Sequence, residues 1–141
     1  MASKIILDAN ILLDFILKRS ADYTVLEKIY SEIVEGNLKN HITTSIIHTC
    51  GYWLTKAIGS NHAKHVILTM LNDTMVIDAS QSTVVDALHS NMVDIEDSLQ
   101  YYTALEHKLD FFISRDVKFI KSAKPGLPIY SPADFAKKFI D

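Results

Sequence analysis

The chain has little cysteine, proline or glycine: one, three and four residues respectively among 141. A lone Cys50 excludes an internal disulfide and suits a reducing cytoplasm, which is the expected location. So little glycine and proline leaves no room for a linker or low-complexity tract, and no internal repeat is visible. No apolar run approaches the roughly 20 residues that a membrane-spanning helix needs. The first residues show neither a cationic leader nor a small-residue cleavage site. A basic surplus is also missing, and a formal net charge of −3 excludes a constitutively basic nucleic-acid coat. It leaves open an RNA enzyme whose site is lined by carboxylates. With 48% hydrophobic residues, one core can be built without staples, so a single domain over residues 1–141 is expected.

What is present is an alternation of short apolar runs with longer amphipathic ones. Lys4 to Leu7 reads as a buried strand. Helical spacing follows in Asn10 to Lys18 and in Asp22 to Glu35, the second with Ser20 as cap and Gly36 as stop. A short strand is expected around His41 to Thr43, then a helix from Ser45 to Ile58 ended by Gly59. Ser60 is expected to cap the next helix. Met75 to Ile77 reads as a strand and Ser80 as a helix start. Ile95 to Leu109 is helical in period, Asp110 to Ile113 and Leu127 to Tyr130 are strands, and Ser131-Pro132 opens a last helix. Strands alternating with helices predict an α/β class: a three-layer α/β/α sandwich around a mostly parallel sheet of four or five strands. Sites in such sheets lie beyond the carboxyl ends of the strands, where strand order reverses.

That rule directs attention to the polar residues that follow strands. Asp8 with Asn10 follows the first, and Ser114-Arg115-Asp116 follows the fourth. Asp14 and the Glu96-Asp97 pair open or occupy helices. Carboxylates converging at one end of a sheet repel unless a cation lies between them. Mg²⁺ and Mn²⁺ favour such oxygen ligands, and an ion held there can activate water and stabilise charge on a phosphodiester. Simpler roles compete at each position: Asp8 as a helix cap, Asp97 as a helix N-terminal charge, Asp116 as a turn residue, Asp14 on a solvated face.

Four segments in register tip the balance. K-I-I-L-D-A-N-I-L-L (4–13) resembles the opening of PIN domains, and D-I-E-D-S-L-Q-Y-Y-T-A (94–104) resembles the helix start that delivers a later acid. F-F-I-S-R-D-V-K-F (111–119) resembles the strand and turn that deliver the last one, and L-P-I-Y-S-P-A-D-F resembles the closing strand and helix. The resemblance covers nearly the whole chain and extends to the VapC-type toxin ribonucleases. It implies a PIN-like domain that hydrolyses RNA, with Asp8, Asp97 and Asp116 as the catalytic, metal-binding acids. Asn10, Glu96 and Ser114 would support them, Arg115 would meet substrate phosphate, and Mg²⁺ or Mn²⁺ would be the cofactor. It also implies an antitoxin partner and a homodimer. Glu96 and Asp97 point roughly 100° apart on a helix, so one of them is expected to face the metal.

One departure concerns the segment T-T-S-I-I-H-T-C-G-Y-W-L. Family members commonly carry a glutamate in this helix, where counting from Ser45 lands on Gly51, with Thr49 and Cys50 adjacent. The gap motivates the alternative of a degenerate PIN domain that binds RNA or a protein partner without cleavage. A response-regulator-like module would need a paired acid after the first strand and a lysine after a late one, which Asp8-Ala9-Asn10 and Ser114-Arg115-Asp116 do not provide. His48 is expected to be a partly buried structural residue, His62 and His65 exposed helix residues, Cys50 core filling, and Tyr52 and Trp53 packing residues.

Overall fold

Ile5, Ile6 and Leu7 are all buried, as in a strand covered on both faces, and they form the centre of the sheet. The computed structural model describes residues 2–141. Its elements run β1 (Ser3–Leu7), α1 (Ala9–Leu17), α2 (Tyr23–Val34), β2 (Leu38–Thr43), α3 (Thr44–Ile58), α4 (Ser60–Met70), β3 (Thr74–Ile77), α5 (Gln81–His89), α6 (Ile95–Glu106), β4 (Phe111–Ile113), α7 (Val117–Lys121), β5 (Ile129–Tyr130) and α8 (Pro132–Phe139). Five strands pair in the order β3-β2-β1-β4-β5, every pair parallel. The chain moves outward from β1 through β2 to β3, then returns to the other side of β1 for β4 and β5. Strand order therefore reverses between β1 and β4.

Right-handed crossovers place α5 and α6 on the face opposite the helices that link β1, β2 and β3. On that second face α1 packs against α2 and α3, and α8 closes onto α2. The result is the three-layer α/β/α sandwich expected, with the full five strands. Among the described residues, no helix is long and apolar enough to cross a membrane.

Several local expectations are corrected. Asp22, not Ser20, occupies the cap position of α2, and its side chain makes no capping bond. Ser60 is the first residue of α4; Gly59 precedes it with φ +86°, a left-handed backbone that separates α3 from α4 at little cost to a glycine. β2 begins earlier, at Leu38, because parallel pairing with β1 starts at Ser3 opposite Leu38. α6 stops at Glu106, three residues before Leu109, since Lys108 turns left-handed at φ 56°. β5 retains only Ile129 and Tyr130, while Leu127 forms an isolated bridge with Lys124. The short α7 was not expected from periodicity, five residues being too few to show it. Tyr52 and Trp53 pack edge-on against each other but stay about half exposed, at 52% and 48%. His48 is exposed rather than partly buried.

Tyr101 fixes the region below the last strands. It is fully buried, and its hydroxyl donates to the Leu127 carbonyl at 2.6 Å while accepting the Lys124 amide at 2.7 Å. Its ring meets Phe112 and Phe119. Replacing Tyr101 by Phe keeps the ring and strands both backbone groups, so a loss of about 1–3 kcal/mol in unfolding free energy is expected. Urea denaturation of the two proteins measures it.

Candidate functional site

Register alone brings the first and last acidic segments together. Leu7 lies opposite Ile113 in the β1–β4 pair, and the ladder continues one step further as the Asp8 amide donates to the Ile113 carbonyl at 3.0 Å. The next residue of each strand is therefore Asp8 beside Ser114. The buried Ser114 hydroxyl donates to Asp8 Oδ2 at 3.0 Å and accepts the Asp116 amide at 3.2 Å. One hydroxyl thus links both acid-bearing segments. Asp8 stands at the N-terminus of α1 without making a side-chain capping bond, so the simple capping role does not hold for it. Asp116 does cap: its Oδ1 accepts the amides of Lys118 and Phe119 at 3.0 and 3.3 Å.

The third segment arrives from the first turn of α6. Asp94 caps that helix by accepting the Asp97 amide at 2.9 Å, and the positive end of the helix favours the carboxylates of Glu96 and Asp97. Asp8, Asp97 and Asp116 line one cavity of about 430 Å³, and Glu96, Asp94 and Asn10 line it with them. Both Glu96 and Asp97 line it, because the cavity wraps the helix start.

The α3 position that lacks an acid is also resolved. A side chain at Gly51 would point to Ile67 of α4, 3.8 Å away, whereas Thr49 is the α3 residue that lines the cavity. The Thr49 hydroxyl donates to Glu96 Oε1 at 3.4 Å. The carboxylate on that side of the cavity therefore comes from α6.

Arg115 and Asp14 serve another purpose. Arg115 donates to Asp14 at 2.5 Å and to both oxygens of Asp22 at 3.0 and 2.7 Å, and Arg19 also pairs with Asp14. This clamp holds the α1–α2 junction against the turn that carries Asp116. Arg115 lines the cavity with its guanidinium already paired, and Asp14 faces the clamp.

The electrostatics are those of crowded, partly buried anions. Burial raises the pKa of Asp8, opposed by the Ser114 bond and reinforced by the charges of Glu96 and Asp116. Asp97 is pushed up from 3.8 to about 7, first by burial and then by Asp94, Asp8, Asp116 and Glu96. Cys50 is pushed up to about 12 by burial and by the charges of Asp8 and Glu96, so its thiol stays protonated and inert, in keeping with core filling.

Among the described residues, no three His, Cys, Asp or Glu side chains converge closely enough to enclose a metal ion. The carboxylates stand around the cavity instead, as mutually repelling anions do. The donor set is all oxygen and suits a hard divalent cation that keeps several waters and needs only one or two direct carboxylates. One further polar side chain belongs to the cavity. Gln100 is buried and lines it, Thr43 donates to its Oε1 at 2.6 Å, and its Nε2 is left without a partner. Sequence reasoning singled out neither Gln100, Asp94 nor Thr49 as a site residue. The signal for Gln100 was available: it lies three residues after Asp97, on the same helix face.

A family profile described as PIN domain matches residues 4–118. Among solved structures, VapBC2 from Rickettsia felis bound to a DNA fragment from its promoter aligns with a TM-score of 0.65 and 16% identity, over 89% of this chain and 96% of that one. A toxin–antitoxin complex from Klebsiella pneumoniae aligns with a TM-score of 0.67 and 20% identity, over 91% of this chain and 97% of that one. At these identities the likeness is one of fold. No curated protein sequence matches.

The raised Asp97 pKa makes a stability prediction with a definite sign. The folded chain holds the Asp97 proton more tightly than the unfolded one, so stability is present below the unfolded value near 3.8 and falls as pH rises toward about 7. In metal-free protein, Asp97→Asn should raise the melting temperature at pH 8 by a few degrees. The gain should vanish near pH 4. Thermal melts of the two proteins in chelator across that range test it; no gain at pH 8 would contradict the crowding.

Proposed function

The chain belongs to the PIN-domain family, and on that footing we propose that it is a metal-dependent endoribonuclease that cuts single-stranded RNA as the toxin of a toxin–antitoxin pair. The observation that carries this reading is the gathering of Asp8, Asp97 and Asp116, from three separate elements, around one cavity at the point where strand order reverses.

In this reading Asp8, Asp97 and Asp116 hold Mg²⁺ or Mn²⁺. The bound ion supplies Lewis acidity toward a phosphodiester and lowers the pKa of water. The protein's own groups set the geometry. Ser114 fixes the Asp8 carboxylate and the backbone of Asp116 relative to each other, and Asp94 fixes the start of α6. Glu96, braced by Thr49, and Asn10 complete the oxygen-rich wall. The Arg115 clamp keeps the Asp116 turn in register with α1, a positioning role that stands beside the substrate contact the resemblance implies. A splayed, unpaired RNA backbone reaches such a cavity more easily than a duplex does. Both structural relatives are toxin–antitoxin assemblies, which supports an antitoxin partner here. A homodimer in the cytoplasm is part of the same proposal. The acid-free face of α3 favours a second reading, a PIN domain that binds without cutting.

Cleavage of a mixed single-stranded RNA pool in Mn²⁺, Mg²⁺ or chelator separates the two. Metal-dependent cutting is expected, with Asp8→Asn and Asp97→Asn each reducing it at least a hundredfold. Ser114→Ala should lower apparent metal affinity by about 10–100-fold, as loss of a group that orients ligands does; Mn²⁺ titration gives the value. Folded, antitoxin-free protein that cuts nothing at any metal concentration would leave the binding-only reading standing.

A further inference from the structure

The acidic cavity does not end at its carboxylates. It shares Asp94, Asp97 and Asp116 with a second cavity of about 310 Å³. That one in turn shares Asn91, Met92 and Ser122 with a third of about 670 Å³. Shared lining residues set the three in a row along the loop between α5 and α6, a trench that leads away from the acids.

Chemistry changes along it in a definite order. The carboxylates come first. The second cavity is walled by Met92, Val93 and the buried Phe119, with Lys118 at its edge. The third is lined by Tyr102, His89 and Lys124. Val93 is 97% exposed at the rim, an aliphatic side chain left to water beside a highly charged site. Lys124 is held rather than free. Its ammonium lies 5.0 Å from the centroid of the Tyr102 ring, and its backbone amide is bonded to the buried Tyr101 hydroxyl at 2.7 Å. Asp86 also lines this third cavity, so attraction for an anion there rests on Lys124, with Lys118 in the cavity before it, and not on a broad positive field.

An ion-holding centre, an apolar recess and a fixed ammonium follow the alternation of a nucleotide chain: phosphate, base, phosphate. We propose that single-stranded RNA lies along this trench. Its scissile phosphate sits in the acidic cavity, the adjoining base lies against Met92, Val93 and Phe119, and a neighbouring phosphate meets Lys124. Base contact with this recess makes Met92 and Val93 determinants of which nucleotide is accepted beside the cut. The inference rests on the ribonuclease reading for the scissile position. The occupant is RNA in preference to a protein tail, because the trench opens into the acidic cavity, where the ribonuclease reading places a phosphodiester, and carries Lys118 and Lys124 along its course.

Binding of a fluorescently labelled single-stranded RNA to Asp97→Asn protein, which leaves the RNA intact, tests the trench apart from cleavage. Affinity measured against salt concentration should fall less steeply for Lys124→Ala, with the log–log slope reduced by about 0.7 for one lost phosphate contact. Val93→Ser should weaken binding several-fold with the slope unchanged. Lys64→Ala, an exposed lysine on α4, should match the parent in both respects. If Lys124→Ala behaves like Lys64→Ala, the trench is not the RNA path, even should wild type cut RNA. If both trench variants bind RNA normally yet lose a protein partner, the surface belongs to protein and the proposal falls. If wild type cuts nothing but the slopes change as stated, the trench stands and only the catalytic reading fails.

Discussion

The site depends on the parallel register between β1 and β4, which sets Asp8 beside Ser114. Because Leu7 faces Ile113, both strands end at the same height. The chain has no freedom to place one acid-bearing segment without the other. A shift of one residue would reverse the faces of β4 and move Ser114 off Asp8. The buried core of β1 and β4, with Ile5, Ile6, Phe112 and Ile113 nearly inaccessible, is what makes such a shift prohibitive. Packing far below the cavity thus determines which oxygens meet within it.

Held in that way, the acids are in tension. The protein confines Asp8, Asp94, Glu96, Asp97 and Asp116 to one concavity, and Asp97 responds by retaining its proton up to about neutral pH. Local structure relieves part of the strain through the Ser114 hydroxyl, the N-terminus of α6 and the capping bonds to Asp116. The rest is what the proposed divalent ion would offset. Fixed carboxylates that a folded core will not let separate are poised for a divalent cation in a way that flexible ones are not. The Arg115 clamp extends the same logic, since it immobilises the turn bearing Asp116 with ion pairs kept outside the acid cluster.

Much of this was legible in sequence, and unevenly so. Periodicity located the long helices and the buried strands because their apolar spacing is regular. It missed α7, whose five residues carry no period, began β5 two residues early, and erred at helix starts where serine was the plausible cap but geometry chose Asp22 and Gly59. Asp8, Asp116 and the Glu96-Asp97 pair could be read from their places after strands and at a helix start, and all line the cavity. The Arg115 clamp could not be read, because its partners Asp14 and Asp22 meet it only across the fold. Nor could the orientation of α3, where counting residues led to Gly51 while the helix turns Thr49 inward.

The order of the strands in the sheet is not their order in the chain. β1, made first, waits at the centre of the sheet for β4, which is made in the last third, and Ser114 and Asp116 come later still. Contacts between such distant segments form slowly. A chain still growing on the ribosome therefore holds half a site, with Asp8 exposed beside an empty strand position. Synthesis itself imposes an order on the site: the cavity cannot close until β4 and the turn that bears Asp116 have left the ribosome.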